Sequence, residues 1–143
     1  MFMGEYYHSL DVKGRLIIPA KLRDKLGDEF VVTRGFDGSC LSIYPLEEWK
    51  QLEEKLKMIP KNDKAGRVVI RHLTAGATMC EVDKQGRILI PQVLRDHAHL
   101  EKEVVLVGML ERVEIWDKQS YEDNAAEDID EALASLEASG IQI

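Results

Sequence analysis

The stretch DVKGRLIIPAKLRD (residues 11–24) returns as DKQGRILIPQVLRD (residues 83–96). Of fourteen aligned positions eight are identical: Asp11/Asp83, Gly14/Gly86, Arg15/Arg87, Ile18/Ile90, Pro19/Pro91, Leu22/Leu94, Arg23/Arg95 and Asp24/Asp96. The echo continues outward. Gly4 aligns with Gly76, Leu10 with Val82, Ile43 with Ile115, Tyr44 with Trp116 and Trp49 with Tyr121, while FVVTRG (30–35) matches EVVLVG (103–108). A fixed-period self-similarity of this kind sets the architecture before any single element does. It divides the chain into one repeat at 5–47, a linker at 48–75, a second repeat at 76–119 and a tail at 120–143.

Each repeat has the signature of strands. RLIIP and RILIP are short β-branched runs entered through a glycine turn and stopped by proline. The prolines suit the first turn of the short helices expected in AKLRDKLG and QVLRDHAHL, where a missing N–H costs nothing. FVVTRG and CLSIYP then form a hairpin, as do EVVLVG and RVEIWD. The linker is helical. Leu46, Trp49, Leu52 and Leu56 recur at helical spacing, then Ala65, Val68, Val69 and His72, with Pro60 between the two helices. From Tyr121 to Ser139 the tail predicts one amphipathic helix, with Ala125, Ile129, Leu133 and Leu136 on its apolar face, ending near Gly140.

With 143 residues and 45% hydrophobic content the chain can bury a core. No apolar run approaches the roughly 20 residues that span a bilayer, and MFMGEYYHSL lacks the features of a secretory signal. Cys40 and Cys80 stand apart with no metal-ligand spacing, which together with the missing signal points to the cytoplasm. The net charge of −7 is a property of the tail: residues 1–116 hold 18 basic and 18 acidic side chains, and 117–143 add eight acidic ones and Lys118. Around the first phrase, Lys13, Arg15, Lys21, Arg23 and Lys25 outnumber Asp11 and Asp24. His8, His72, His97 and His99 form no ligand pattern, Trp49 and Trp116 suit packing, and no acid–base pair, phosphate loop or nucleophile elbow is present, so neither an enzyme, a metal, a cofactor nor a small-molecule substrate is expected.

The Asp-x-x-Gly-Arg phrase has a physical logic. The aspartate accepts from backbone N–H groups two residues on, and glycine supplies the positive φ of a tight reversal. Arg15 and Arg87 can then fold back onto Asp11 and Asp83 as ion pairs, or turn their planar forks outward, where phosphate and guanine edges suit bidentate contact. Spacing alone leaves both open.

The pattern D-x-x-G-R-h-h-I-P-x-x-L-R (h apolar), twice in one chain, resembles the SpoVT-AbrB (AbrB-type) DNA-binding domain. The resemblance implies a mainly β fold with peripheral helices: an AbrB-like double-split, swapped-hairpin β-barrel, built here as an intrachain pseudo-dimer of two repeats. It implies a transcriptional regulator that binds double-stranded DNA, is cytoplasmic and nucleoid-associated, assembles into a ring-like homo-oligomer, and acts at tandem promoter repeats upstream of its own division and cell-wall gene cluster. Carried onto this chain, Arg15 and Arg87 are the expected DNA contacts with Lys13 and Lys84 as phosphate partners. Asp11, Gly14, Asp83 and Gly86 form the loops, and Arg23 and Arg95 are further candidates for DNA contact. An antitoxin-like protein-interaction module, binding a partner through the tail, is the alternative that the same resemblance allows. The repeats differ where Lys13 faces Gln85, Lys21 faces Val93 and Val12 faces Lys84, so the two loops are expected to contribute unequally.

Overall fold

The computed structural model describes residues 1–125 and 127–143. In the first half the order is β1 (Glu5–Ser9), β2 (Arg15–Ile17), α1 (Ala20–Leu26), β3 (Glu29–Arg34), β4 (Leu41–Pro45) and α2 (Leu46–Lys57). After α3 (Lys64–Gly76) the series repeats as β5 (Thr78–Glu81), β6 (Arg87–Leu89), α4 (Gln92–His97), β7 (Glu103–Met109), β8 (Arg112–Asp117) and α5 (Lys118–Asn124), followed by α6 (Ile129–Ala138). Pro19, Pro45 and Pro91 each stand immediately before a helix, as their fixed φ favours.

Six strands form one antiparallel sheet in the order β1-β7-β8-β4-β3-β5, and β2 pairs with β6 in a separate ribbon. The order is a palindrome of the repeat. The β4–β8 pairing and the β2–β6 pairing lie on the pseudo-two-fold axis. Each repeat's first strand leaves its own hairpin for the other's: β1 lies on β7 (Tyr7 opposite Val105) and β5 lies on β3 (Val31 opposite Met79). This is the strand exchange that the resemblance implies. The hydrogen bonding is divided between sheet and ribbon.

One core joins both halves. Leu16 and Ile88 face each other across the ribbon, and both are buried together with Ile18, Ile90, Phe30, Ile43, Leu106 and Ile115. Leu22 of α1 and Leu94 of α4 close it from the helices. The aligned aromatic pairs are equivalent in space too. Tyr44 meets Trp49 at 5.8 Å and Trp116 meets Tyr121 at 6.0 Å between ring centroids, so each pins its following helix to the sheet. Cys40 and Cys80 are free thiols in the interior; burial pushes both up to about 11.

The packing of α3 adds what helical spacing left open, and the tail corrects an expectation. The packed face of α3 carries Gly66 and Leu73, with Ile70 half-buried, whereas Val68 and Val69 are exposed. Gly66 makes room for Ile59 of the preceding turn, while the Thr33 hydroxyl of β3 donates to the Leu73 carbonyl at 2.6 Å and ties α3 to the sheet. The tail is two helices in place of one. Asp128 begins α6 by accepting from the N–H groups of Asp130 and Glu131, and Ala125 lies in the turn after α5. A strong N-cap outweighs a continuous apolar stripe when that stripe has nothing to bury against.

A shared core predicts shared unfolding. Leu16→Ala should cost about 2–5 kcal/mol, with one urea transition followed identically by far-ultraviolet circular dichroism and tryptophan fluorescence. Separate transitions for the two signals would contradict a single core.

Candidate nucleic-acid interface

The Asp-x-x-Gly-Arg phrases form two matched turns beside the pseudo-dyad. In the first, Asp11 Oδ1 accepts from the N–H groups of Lys13 and Arg15, each at 2.9 Å, and Oδ2 accepts from Arg15 Nε at 2.6 Å. In the second, Asp83 Oδ1 accepts from Gln85 N at 2.9 Å and Arg87 N at 2.8 Å, and Oδ2 accepts from Arg87 Nε at 2.9 Å. Main-chain bonds from Asp11 N to Arg15 O at 3.0 Å and from Asp83 N to Arg87 O at 2.8 Å close the loops. Gly14 at φ 84° and Gly86 at φ 79° take the left-handed conformation that the reversal requires.

Of the two sequence alternatives for the arginines, the structure contains the ion pair at both positions. The aspartate takes the inner Nε edge of each guanidinium. Among the described residues neither terminal nitrogen of Arg15 meets a protein acceptor, and Arg87 Nη1 has only a long approach to Asp11 Oδ2, at 4.0 Å. Arg15 is the more open, its side chain 32% exposed against 24% for Arg87. Val12, Lys13, Lys84 and Gln85 form the exposed tips of the loops. The carboxylates respond to the donors around them. The backbone N–H of Arg15, reinforced by its side chain, holds Asp11 down at about 2, and the N–H of Arg87 lowers Asp83 in the same way.

Arg23 and Arg95 are placed differently. Each crosses the pseudo-dyad to lie over the glycine of the opposite loop, so that a Cβ on Gly14 would stand 2.5 Å from Arg95 Cζ and one on Gly86 would stand 2.7 Å from Arg23 Nη1. Arg95 Nε donates to the Ile90 carbonyl at 2.9 Å, whereas Arg23 Nε is buried without an acceptor among the described residues. The loops are also stitched through the main chain, Ile18 N donating to Gly86 O at 2.9 Å and Ile90 N to Gly14 O at 3.0 Å. These contacts across the dyad were beyond sequence reasoning. The one clue to them was the joint recurrence of Gly14 with Arg23 and of Gly86 with Arg95 in both phrases.

The MraZ family profile, described as "MraZ protein, putative antitoxin-like", matches residues 1–72 and again 73–142. The chain is 58% identical over 127 residues to the transcriptional regulator MraZ of Pediococcus pentosaceus, covering 89% of this chain and 88% of that one. It is 51% identical to the same-named protein of Halothermothrix orenii, over 99% of this chain and 100% of that one. With the same-named protein of Lachnoclostridium phytofermentans it shares 52% identity over 99% of each chain.

Two consequences of the loop geometry are measurable. A carboxylate held below its ordinary value contributes stability that is present above that value and is lost as pH falls through the folded one. The stability gap between wild type and Asp11→Asn should therefore narrow on acidification from 3.8 toward about 2, followed by urea titrations at stepped pH; a constant gap would contradict it. Gly14→Ala should cost about 1–3 kcal/mol from the left-handed backbone alone, plus the displacement of Arg95. In a double-mutant cycle, Arg95→Ala should reduce the cost of Gly14→Ala without abolishing it, and strict additivity would show that Arg95 does not press on that loop.

Proposed function

The chain belongs to the MraZ family, and on that premise we propose that it is a DNA-binding transcriptional regulator with no enzymatic role. The proposed reading surface is the pair of Asp-x-x-Gly-Arg loops. The observation that carries it is the posture of Arg15 and Arg87: the inner edge of each guanidinium is held by a fixed aspartate, which orients the terminal nitrogens before any ligand arrives. Such a fork suits the O6/N7 edge of guanine in the major groove or two phosphate oxygens. Pre-ordering also lowers the side-chain entropy lost on binding.

Lys13 and Lys84, exposed on the loop tips, are proposed as phosphate partners, since neutralising phosphates supplies most of the sequence-independent affinity. Asp11, Gly14, Asp83 and Gly86 set the loop shape. Arg23 and Arg95 are proposed to act by bracing the opposite loops. Few cations stand on each loop, so we propose that a ring-like homo-oligomer repeats the loops along tandem DNA repeats upstream of the chain's own division and cell-wall gene cluster, gaining avidity without new contacts. The place of action would be the cytoplasm, on the nucleoid.

A second reading, an antitoxin-like protein-binding module, draws on the exposed tail and on the wording of the family description. Deleting residues 122–143 separates the two readings: the DNA reading keeps loop-dependent DNA binding in the truncated chain, and the protein-binding reading loses a co-purifying partner.

The direct test is a gel shift with DNA from upstream of the chain's own gene against scrambled DNA at two salt concentrations. Specific binding should survive salt that abolishes the scrambled complex. Arg15→Ala should weaken binding by about 1–3 kcal/mol, and by more than Arg87→Ala, because Arg15 is more open and has Lys13 beside it. Filter binding at one fixed salt concentration checks the order, and a larger loss at Arg87 would reverse it.

A further inference from the structure

We propose that α6 of one copy docks in the groove between α2 and α3 of a second copy, joining subunits head to tail. Two unpartnered surfaces motivate this. The first is α6 itself. Ile129, Leu133 and Leu136 share one face of the helix at i, i+4 and i+7, and remain 69%, 36% and 38% exposed. Around that stripe, residues 127–143 carry Glu127, Asp128, Asp130, Glu131 and Glu137 and no basic residue.

The second is an open groove of about 440 Å³ between α2 and α3, floored by Leu56, Ile59 and Ile70 and rimmed by Lys57, Lys61 and Arg67. One acid, Glu53, also lines it. The surrounding chain from 57 to 71 holds Lys57, Lys61, Lys64, Arg67 and Arg71 against Asp63. An apolar floor with a basic rim complements an apolar stripe with acidic flanks. Laying an amphipathic helix in such a groove is a recurrent recognition mode anchored by i, i+4 and i+7 side chains.

The topology favours a second copy over the same chain. β4 and β8 are antiparallel neighbours, Leu41 facing Ile115 and Ile43 facing Val113, so α2 and the α5–α6 segment leave the sheet from opposite ends. Donor and acceptor are then different patches, and a heterologous contact of this kind generates rings when its rotation closes. The inference rests on the homo-oligomer proposed above and names the surfaces that build it.

Native mass spectrometry of the full chain tests it, with circular dichroism confirming that each variant is folded. No residue of α6 is buried, so Leu133→Asp with Leu136→Asp removes no core side chain, and Lys57→Glu with Lys61→Glu alters only exposed groove positions. The full chain should be oligomeric and each double variant monomeric. An equimolar mixture of the two double variants should yield heterodimers and nothing larger, since one intact tail meets one intact groove. Wild-type mass in either double variant, or a mixture that stays monomeric, overturns the docking while leaving the oligomer reading standing. A monomeric full chain overturns both.

Discussion

Each repeat owns a β-hairpin with one bare edge, and the strand that fills that edge belongs to the other repeat. β3 takes β5 and β7 takes β1, through registers of four and five residue pairs. An unfilled edge would present a row of unpaired N–H and C=O groups to solvent or to other chains. The exchange covers the β3 and β7 edges, leaves the shorter β1 and β5 outermost, and makes neither half complete without its partner. The rest follows from it: the core is common to both halves, and the turns that follow β1 and β5 are brought to the same axis. The loops are neighbours because their strands have been traded.

This neighbourhood explains the glycines more fully than turn chemistry does. A positive φ alone would tolerate asparagine in many turns. At Gly14 and Gly86 the guanidinium of Arg95 or Arg23 lies where a Cβ would stand, so any side chain there must displace an arginine as well as adopt a positive φ. The phrase Asp-x-x-Gly-Arg and the arginine eight residues after its own arginine are thus one device distributed over two repeats. The aspartate orients the arginine of its own loop, the glycine receives the arginine of the other, and a carbonyl–amide bond runs each way between them. Errors in one loop are felt in both.

Local chemistry made the repeat, the strands around it, the loop aspartates and the pair of linker helices legible, since prolines, glycines and β-branched runs act within a few residues of themselves. Tertiary choices were less legible. The buried side of α3 is marked by Gly66 and Leu73 more than by Val68 and Val69, because the Ile59 side chain fills the space beside Gly66 and hydropathy patterns count only side chains that are present. Likewise a continuous stripe from Ala125 to Leu136 suggested one tail helix, yet without a surface to cover, the Asp128 cap decided where helix begins. Glu114 was unreadable for a third reason. It is a buried carboxylate satisfied by Trp116 Nε1 at 3.0 Å and Arg112 at 3.3 Å, and alternation alone cannot tell such a satisfied inward charge from a solvated one.

Duplication within one chain also permits what an assembly of identical halves forbids. Two identical subunits would present identical loops, whereas here the sequences have parted at Lys13 and Gln85 and at Val12 and Lys84. The geometry has parted with them. Asp11 lies near two guanidinium groups, Arg15 at 2.6 Å and Arg87 at 4.0 Å, and among the described residues Asp83 pairs with Arg87 alone. Arg87 is drawn toward the axis and partly covered, while Arg15 stands more open beside a lysine. The backbone is symmetric because strand exchange demands it, and the side chains are not, because nothing in the core depends on residues 12, 13, 84 or 85. The pseudo-symmetric surface therefore has two distinguishable sides, one with Arg15 more open beside Lys13 and one with Arg87 partly covered, which gives it a direction.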